Sequence, residues 1–223
     1  FVIDIKNYFE SIKINTVRTA FENLGFNKLI SEKLSKIVTY KGKLIQGFHT
    51  SPTLANIVFH HIDNELEKSF GNVTYTRYAD DLYFSADTEF DIEDDVRQIL
   101  RKNAFEINPK KTKMMRRGWH QYVTGLTVFD NIQPRIPKRI KRWLRFEIYY
   151  IHQFGYLEHV LHKLQVSQQD YEQKIETKNR VDSEISYLQR RLDGWLLFIN
   201  SIEPDFAKKK SKLLEESLEN FPL

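Results

Sequence analysis

Residues 75–86 read YTRYADDLYFSA. Bulky side chains alternate up to two adjacent aspartates, and the alternation resumes on the far side. That pattern predicts two strands joined by a tight turn, with Asp80 and Asp81 at its tip. A turn can use one aspartate to bond its own backbone. Two, flanked by aromatics instead of glycine, concentrate like charge where a positive partner is needed. A third acid, Asp4, ends the apolar run FVID, which reads as a short buried strand. If these elements pair in one sheet, three carboxylates converge. Taken singly, each is a common turn or capping residue. Together, as oxygen ligands with no His or Cys nearby, they suit a hard divalent cation such as magnesium. Two such ions about 3.5–4 Å apart are the usual apparatus for moving a phosphoryl group in line.

Elsewhere helical spacing dominates. Asn15 is placed to cap a helix carrying Val17, Phe21 and Leu24, with Gly25 to stop it. A second helix carries Ile30, Leu34, Ile37 and Val38 on its inner face. Ser51 and Pro52 then read as N-cap and first helical residue, opening a helix with Leu54, Ile57, Val58, Ile62 and Leu66 inward. The acidic run 87–95 opens another with Val96, Ile99 and Leu100 inward, since carboxylates suit a helix N-terminus. FEI (105–107), TKMM (112–115), QYVTGLTV (121–128) and IQPRI (132–136) read as short strands. A long basic helix from Pro137 to about Leu164 follows, then a polar stretch (167–180) without a clear apolar face, then two amphipathic helices. The first of these carries Ile185, Leu188, Leu192, Trp195, Leu196 and Ile199. The order is mixed first and all-helical last, an α+β chain with a domain boundary near residue 135.

The 223 residues, 41% hydrophobic, suffice for one domain with an appended lobe, and the absence of cysteine excludes disulfides and zinc–cysteine sites. No apolar run approaches the length that spans a bilayer. The opening FVIDIKNYF reads as a strand already under way and not as a signal peptide, so an upstream segment and a cytoplasmic location are expected. Net charge is only +4, but between Asn108 and Arg145 eleven basic residues, Arg117 among them, face a single acid, Asp130, with Trp119, Tyr122 and Trp143 interleaved. Such a stripe is the footprint of a polyanion partner.

FVIDIKNYFESI (1–12), QGFHTSPTLANI (46–57) and YTRYADDLYFS (75–85) occur in that order and resemble the successive palm motifs of reverse transcriptases. The resemblance is to bacterial enzymes of the retron and phage-defence type, with group II intron enzymes more distant. INPKKTK (107–113) resembles the family's next motif and YVTGL (122–126) its primer-gripping strand, whose VTG triplet is typical of retron enzymes. The resemblance implies a polymerase palm, an antiparallel sheet packed on helices with an RRM-like core, over residues 1–135. A helical thumb over 136–223 would follow. It implies an RNA-directed DNA polymerase that extends a primer hydroxyl with deoxynucleotides by a two-magnesium mechanism, manganese substituting, within a retron or other anti-phage defence system. RNA template, RNA/DNA duplex and deoxynucleoside triphosphates would be its partners, with a structured non-coding RNA and an effector protein as further candidates.

Carried over residue by residue, the resemblance makes Asp4, Asp80 and Asp81 the metal ligands, joined by the Ile5 backbone carbonyl. Phe9 takes the position of the aromatic that collides with a 2′-hydroxyl and so selects deoxynucleotides. Gln46 and Gly47 would lie along nucleotide and template, Ser51 and Pro52 under the template strand, and Tyr78 and Ala79 at the primer end. Spacing does not choose among Lys110, Lys111 and Lys113 for the departing pyrophosphate; Lys113 is taken. Thr124 and Gly125 belong to the gripping strand. Lys138, Arg139, Lys141, Arg142 and Arg145, with Ile140, Trp143, Leu144 and Ile148 packed inward, would contact duplex phosphates. There are departures: His49 stands where retron enzymes usually carry proline, and the finger region expected before Phe1 lies outside this sequence. His152, His159 and His162, like His60 and His61, lack partners at a metal-site spacing and read as surface or interface residues. Two other readings are a catalytically silent palm-fold scaffold that binds RNA or a protein, and an untemplated or protein-primed DNA polymerase of the abortive-infection type.

Overall fold

The computed structural model describes residues 1–116, 118–119, 121–128 and 133–221. Arg117, Asp130 and the first residue of IQPRI therefore lie outside the described residues. The chain divides into two compact units, Phe1–Trp119 and His120–Leu223.

In the first unit β1 (Val2–Asp4), β2 (Thr74–Tyr78) and β3 (Asp81–Ser85) form an antiparallel sheet in the order β1-β3-β2. The helices are α1 (Tyr8–Ser11), α2 (Ile14–Asn23), α3 (Lys28–Val38), α4 (Ser51–Ser69) and α5 (Glu93–Lys102). Strand alternation sends Leu82 and Phe84 inward, where with Ile3 they meet Phe59, Ile62 and Leu66 of α4 and Val96 and Leu100 of α5 in one core. FEI and TKMM, expected as strands, contribute single bridges among the described residues, Ile107 to Ile5 just after β1 and Lys113 to Val2 within it.

Helix boundaries differ from expectation where tertiary bonds intervene. The first long helix starts at Ile14, whose N–H bonds the Gly42 carbonyl (2.9 Å), so Lys13 and not Asn15 is its cap. In α3, which Asn27 caps through its side chain, Ser31 and Ser35 are buried and Val38 packs partly buried against the core as expected, while Ile30 and Ile37 are exposed. Both serine hydroxyls donate to local backbone carbonyls, Phe26 (3.4 Å) and Glu32 (2.9 Å), so small side chains can be buried without an unpaired donor. In α4, Thr50 is the cap, Ser51 the first helical residue, and Pro52 the second.

In the second unit QYVTGLTV is a hairpin instead of one strand: β4 (Tyr122–Val123) and β5 (Leu126–Thr127) flank Thr124 (φ 48°) and Gly125 (φ 84°). Positive φ at both turn residues is what a two-residue type I′ turn requires. Arg135 bridges to Thr127, and Leu126 packs on the helical core. The hairpin thus travels with the helices, and the division falls earlier than the boundary expected near 135. The helices are α6 (Lys138–Leu164), α7 (Gln168–Gln173), α8 (Ile175–Asn200) and α9 (Pro204–Asn220). Leu144, Ile148 and Ile151 of α6 pack with Val181, Leu188, Leu192 and Ile199 of α8 and Leu214 of α9.

Helix α6 is not continuous. Gly155 (φ 80°, ψ 168°) breaks it, and a β-carbon there would stand 2.9 Å from Cβ of Phe221, just beyond α9. The polar stretch 167–180 is helical too, Ser167 accepting from the Asp170 N–H at 3.0 Å. His159, expected at the surface, is buried: its Nε2 lies 2.6 Å from Glu147 Oε2 across the Gly155 break. Trp143 donates to the other Glu147 oxygen at 2.9 Å. Burial alone would raise the Glu147 pKa, but these bonds, with Lys163 nearby, hold it below the usual carboxylate range.

Candidate active site

Asp4 and Asp81 are direct partners in the β1–β3 register, and Tyr78 pairs with Asp81 from the other side. Directly opposed residues share a sheet face, so these three side chains project from the face opposite Leu82 and Phe84. A two-residue turn, Ala79–Asp80, joins β2 to β3. Its geometry is unusual for lack of glycine: Ala79 has φ 52°, a left-handed conformation that costs a β-carbon-bearing residue about 1–2 kcal/mol. The Asp80 carbonyl accepts from the Ile5 N–H at 2.9 Å, which ties the turn to the residue after Asp4.

Asp4 is buried, and two side chains satisfy it. Asn108 Nδ2 donates to Oδ1 at 2.9 Å, and Lys111 Nζ lies 2.8 Å from Oδ2. Both come from the turn after Ile107, where the N–H groups of Lys111 and Thr112 and the Thr112 hydroxyl all bond the Asn108 carbonyl. That turn folds Lys111 back over Asp4. Lys113, the lysine taken from the sequence, instead enters the backbone bridge to Val2 and lines a cavity of about 490 Å³ with Glu89, Asp91 and Glu93. The ammonium at the carboxylates is therefore that of Lys111, and its pKa is raised by the bond to Asp4. Asp81 is pushed upward, first by burial and then by the charge of Asp80.

Among the described residues no three Asp, Glu, His or Cys side chains are already arranged to hold a metal ion. The donor set is nonetheless all oxygen, its charges repel, and a cation, the Lys111 ammonium, already sits against one member. That chemistry fits a hard divalent ion.

Beneath the turn lies an arrangement that the sequence reading missed. Arg77, on the core face of β2, keeps its side chain only 9% exposed. Its Nε and Nη2 fork onto the two Asp63 oxygens, each at 2.8 Å. Nη1 faces Asn56 Oδ1 (3.0 Å), the Ala79 carbonyl (3.1 Å) and the Tyr8 hydroxyl (3.2 Å), and the guanidinium stacks on Phe59. Parity offered the signal: Arg77 alternates in phase with the inward Tyr75, so a buried charge needing an acid was legible.

Residues 1–157 match the family described as reverse transcriptase (RNA-dependent DNA polymerase). The chain belongs to this family. It is 37% identical over 131 residues to the retron Ec86 reverse transcriptase of Escherichia coli, a match covering 56% of this chain and 41% of that protein. To the retron Mx65 reverse transcriptase of Myxococcus xanthus it is 33% identical over 151 residues, covering 56% and 35%. To the retron Mx162 reverse transcriptase of the same species it is 29% identical over 185 residues, covering 66% and 38%. The chain thus matches well under half the length of each of these retron-type relatives.

Phe9, in α1, is half-buried with its ring edge-on to Tyr8 at 5.3 Å. Gln46 and Gly47 are exposed in the loop before α4, and Gly47 adopts φ 94°. Ser51 is wholly buried with no hydrogen-bond partner for its hydroxyl among the described residues, while Pro52 is exposed. Tyr78 is 67% exposed. Of the basic residues opening α6, Lys138, Arg139, Arg142 and Arg145 are exposed. Lys141 is turned inward onto both Glu203 oxygens (2.9 and 2.8 Å), and Arg145 lies over the Phe206 ring. Among the described residues no helix is long and apolar enough to cross a membrane.

Proposed function

We propose that this chain is the palm and thumb of an RNA-directed DNA polymerase that adds deoxynucleotides to a primer hydroxyl, acting in the cytoplasm within a retron or other bacterial anti-phage system. The observation that carries the reading is the register: Asp4 faces Asp81 across two strands, with Asp80 bonded through its carbonyl to Ile5. In this reading Asp4, Asp80 and Asp81, with the Ile5 carbonyl, hold magnesium, for which manganese can substitute. When bound, two such ions activate the attacking oxygen and stabilise the leaving one.

The chain's own residues have these parts. Phe9 excludes a 2′-hydroxyl by bulk. Gln46 and Gly47, and the α4 start at Ser51 and Pro52, carry nucleotide and template. Exposed Tyr78 and the small Ala79 meet the primer end. Lys111, and not Lys113, holds a proton beside the phosphates, because Lys111 is the lysine seated on Asp4. The Thr124–Gly125 turn grips the primer. Lys138, Arg139, Arg142 and Arg145 contact duplex phosphates without reading sequence, Arg145 with its guanidinium over Phe206, while Lys141 braces α9.

The test is incorporation of labelled deoxynucleotide by the full chain on an RNA template with a DNA primer and magnesium. Asp80→Asn is expected to reduce it by about 10³-fold or more. Incorporation surviving that substitution, or wild-type protein showing no metal-dependent nucleotide binding, overturns the reading in favour of a silent scaffold. Synthesis that ignores the template sequence makes it an untemplated polymerase.

A further inference from the structure

We infer that Arg77 is a positioning residue: its guanidinium sets the height of the Ala79–Asp80 turn, and through it the carboxylates of Asp80 and Asp81, relative to Asp4 and Phe9. The inference rests on the polymerase reading for its catalytic consequence and on geometry alone for its anchoring role.

Three observations carry it. First, the turn is strained and lacks glycine, so something outside it must hold Ala79 at φ 52°. The Ala79 carbonyl, immediately before Asp80, accepts from Arg77 at 3.1 Å. Second, the guanidinium is itself immobilised. Asp63 of α4 takes its fork with two 2.8 Å bonds, and Phe59 of the same helix lies 4.7 Å beneath it. A planar group held on one edge presents its remaining N–H groups at fixed positions. Burial opposes the charge of Arg77, yet the bonds to Asp63 outweigh it and raise its pKa. Third, the nitrogen that holds Ala79 also reaches the Tyr8 hydroxyl at 3.2 Å and Asn56 at 3.0 Å. Tyr8 precedes Phe9, its ring edge-on to the Phe9 ring, and its hydroxyl donates to the Ala55 carbonyl at 3.3 Å. One side chain therefore joins the carboxylate-bearing turn, the helix beneath it, and the segment carrying the sugar-selecting ring.

Lysine at this position keeps the charge but offers one nitrogen, which cannot fork onto Asp63 and reach Ala79 at once. The decisive comparison is Arg77→Lys against wild type in the full chain, with Asp63→Asn as a milder variant that keeps the shape of the fork's acceptor. Amide hydrogen exchange at residues 79–81 reports the anchor without any need for activity. It is expected to accelerate about tenfold in Arg77→Lys and less in Asp63→Asn, with the amides of α4 unchanged. In steady-state incorporation kcat is expected to fall about 100-fold while KM for the deoxynucleotide stays within about threefold, the signature of misplaced reacting groups. Discrimination against ribonucleotides should relax in the same variants. Unchanged exchange at 79–81 in both folded variants overturns the anchor. Faster exchange with unaltered kcat overturns the positioning role. A wild-type protein without incorporation refutes the polymerase reading, and the exchange result still decides the anchor.

Discussion

The sheet-bearing unit and the helical unit each bury charged side chains, but in different states of completion. In the helical unit Glu147 receives Trp143 on one oxygen and His159 on the other, with Lys163 3.9 Å away, and the cluster staples the two halves of a broken helix. In the sheet unit Asp4, Asp80 and Asp81 share one strand end with the Lys111 ammonium, and Asp81 is driven toward its neutral form by burial and by its neighbours. A finished cluster serves stability. One left short of positive charge destabilises its own fold slightly, and under the proposed function a bound cation would relieve it.

The sharpest way to break that contrast is Asp81→Asn. It should cut incorporation about 10³-fold or more, yet leave the melting temperature unchanged or raised, because it removes a repulsive charge. A clear drop in melting temperature would place Asp81 with the structural charges. Next comes Glu147→Gln, expected to cost about 3 kcal/mol in urea unfolding because it strands a buried partner, while activity per folded molecule is retained. The pH dependence has a definite sign. The folded-state pKa of Glu147 is lowered, so its contribution is complete above the ordinary value of 4.5 and fades as pH falls through the lower folded value. The stability gap between wild type and variant should therefore narrow only in acid. Gly155→Ala is expected to cost about 2 kcal/mol in thermal unfolding, from the Phe221 overlap and the positive φ together. Smallest is Lys36→Ala. Its 2.7 Å bond to Glu32 is solvent-exposed, so removing it should leave the thermal midpoint unchanged within the precision of the melt.

What the sequence disclosed follows from how local each signal is. Alternation in YTRYADDLYFSA has a period of two and set both strands and the acids at their tip. Three ordered segments of fixed character carried the family. Signals that depend on a turn did not survive translation. Whether Lys111 or Lys113 meets Asp4 is decided by hydrogen bonds to the Asn108 carbonyl, which no spacing encodes. Thr124 and Gly125 looked like the middle of a strand because β-branched threonine at positive φ is rare. Gly155 sat inside a clean helical period, and the reason for it, Phe221, lies at the other end of the unit. His159 has no neighbour at metal-site spacing, and its partner is a carboxylate twelve residues earlier.

The directness of the Asp4–Asp81 register carries a last consequence for how such a chain can vary. Because successive strand residues point to opposite faces, one residue added between Tyr78 and Asp81 without a compensating bulge would send Asp81 into the layer now filled by Leu82. A slip of register has no intermediate setting, so the facing of Asp4 and Asp81 is kept whole or lost outright.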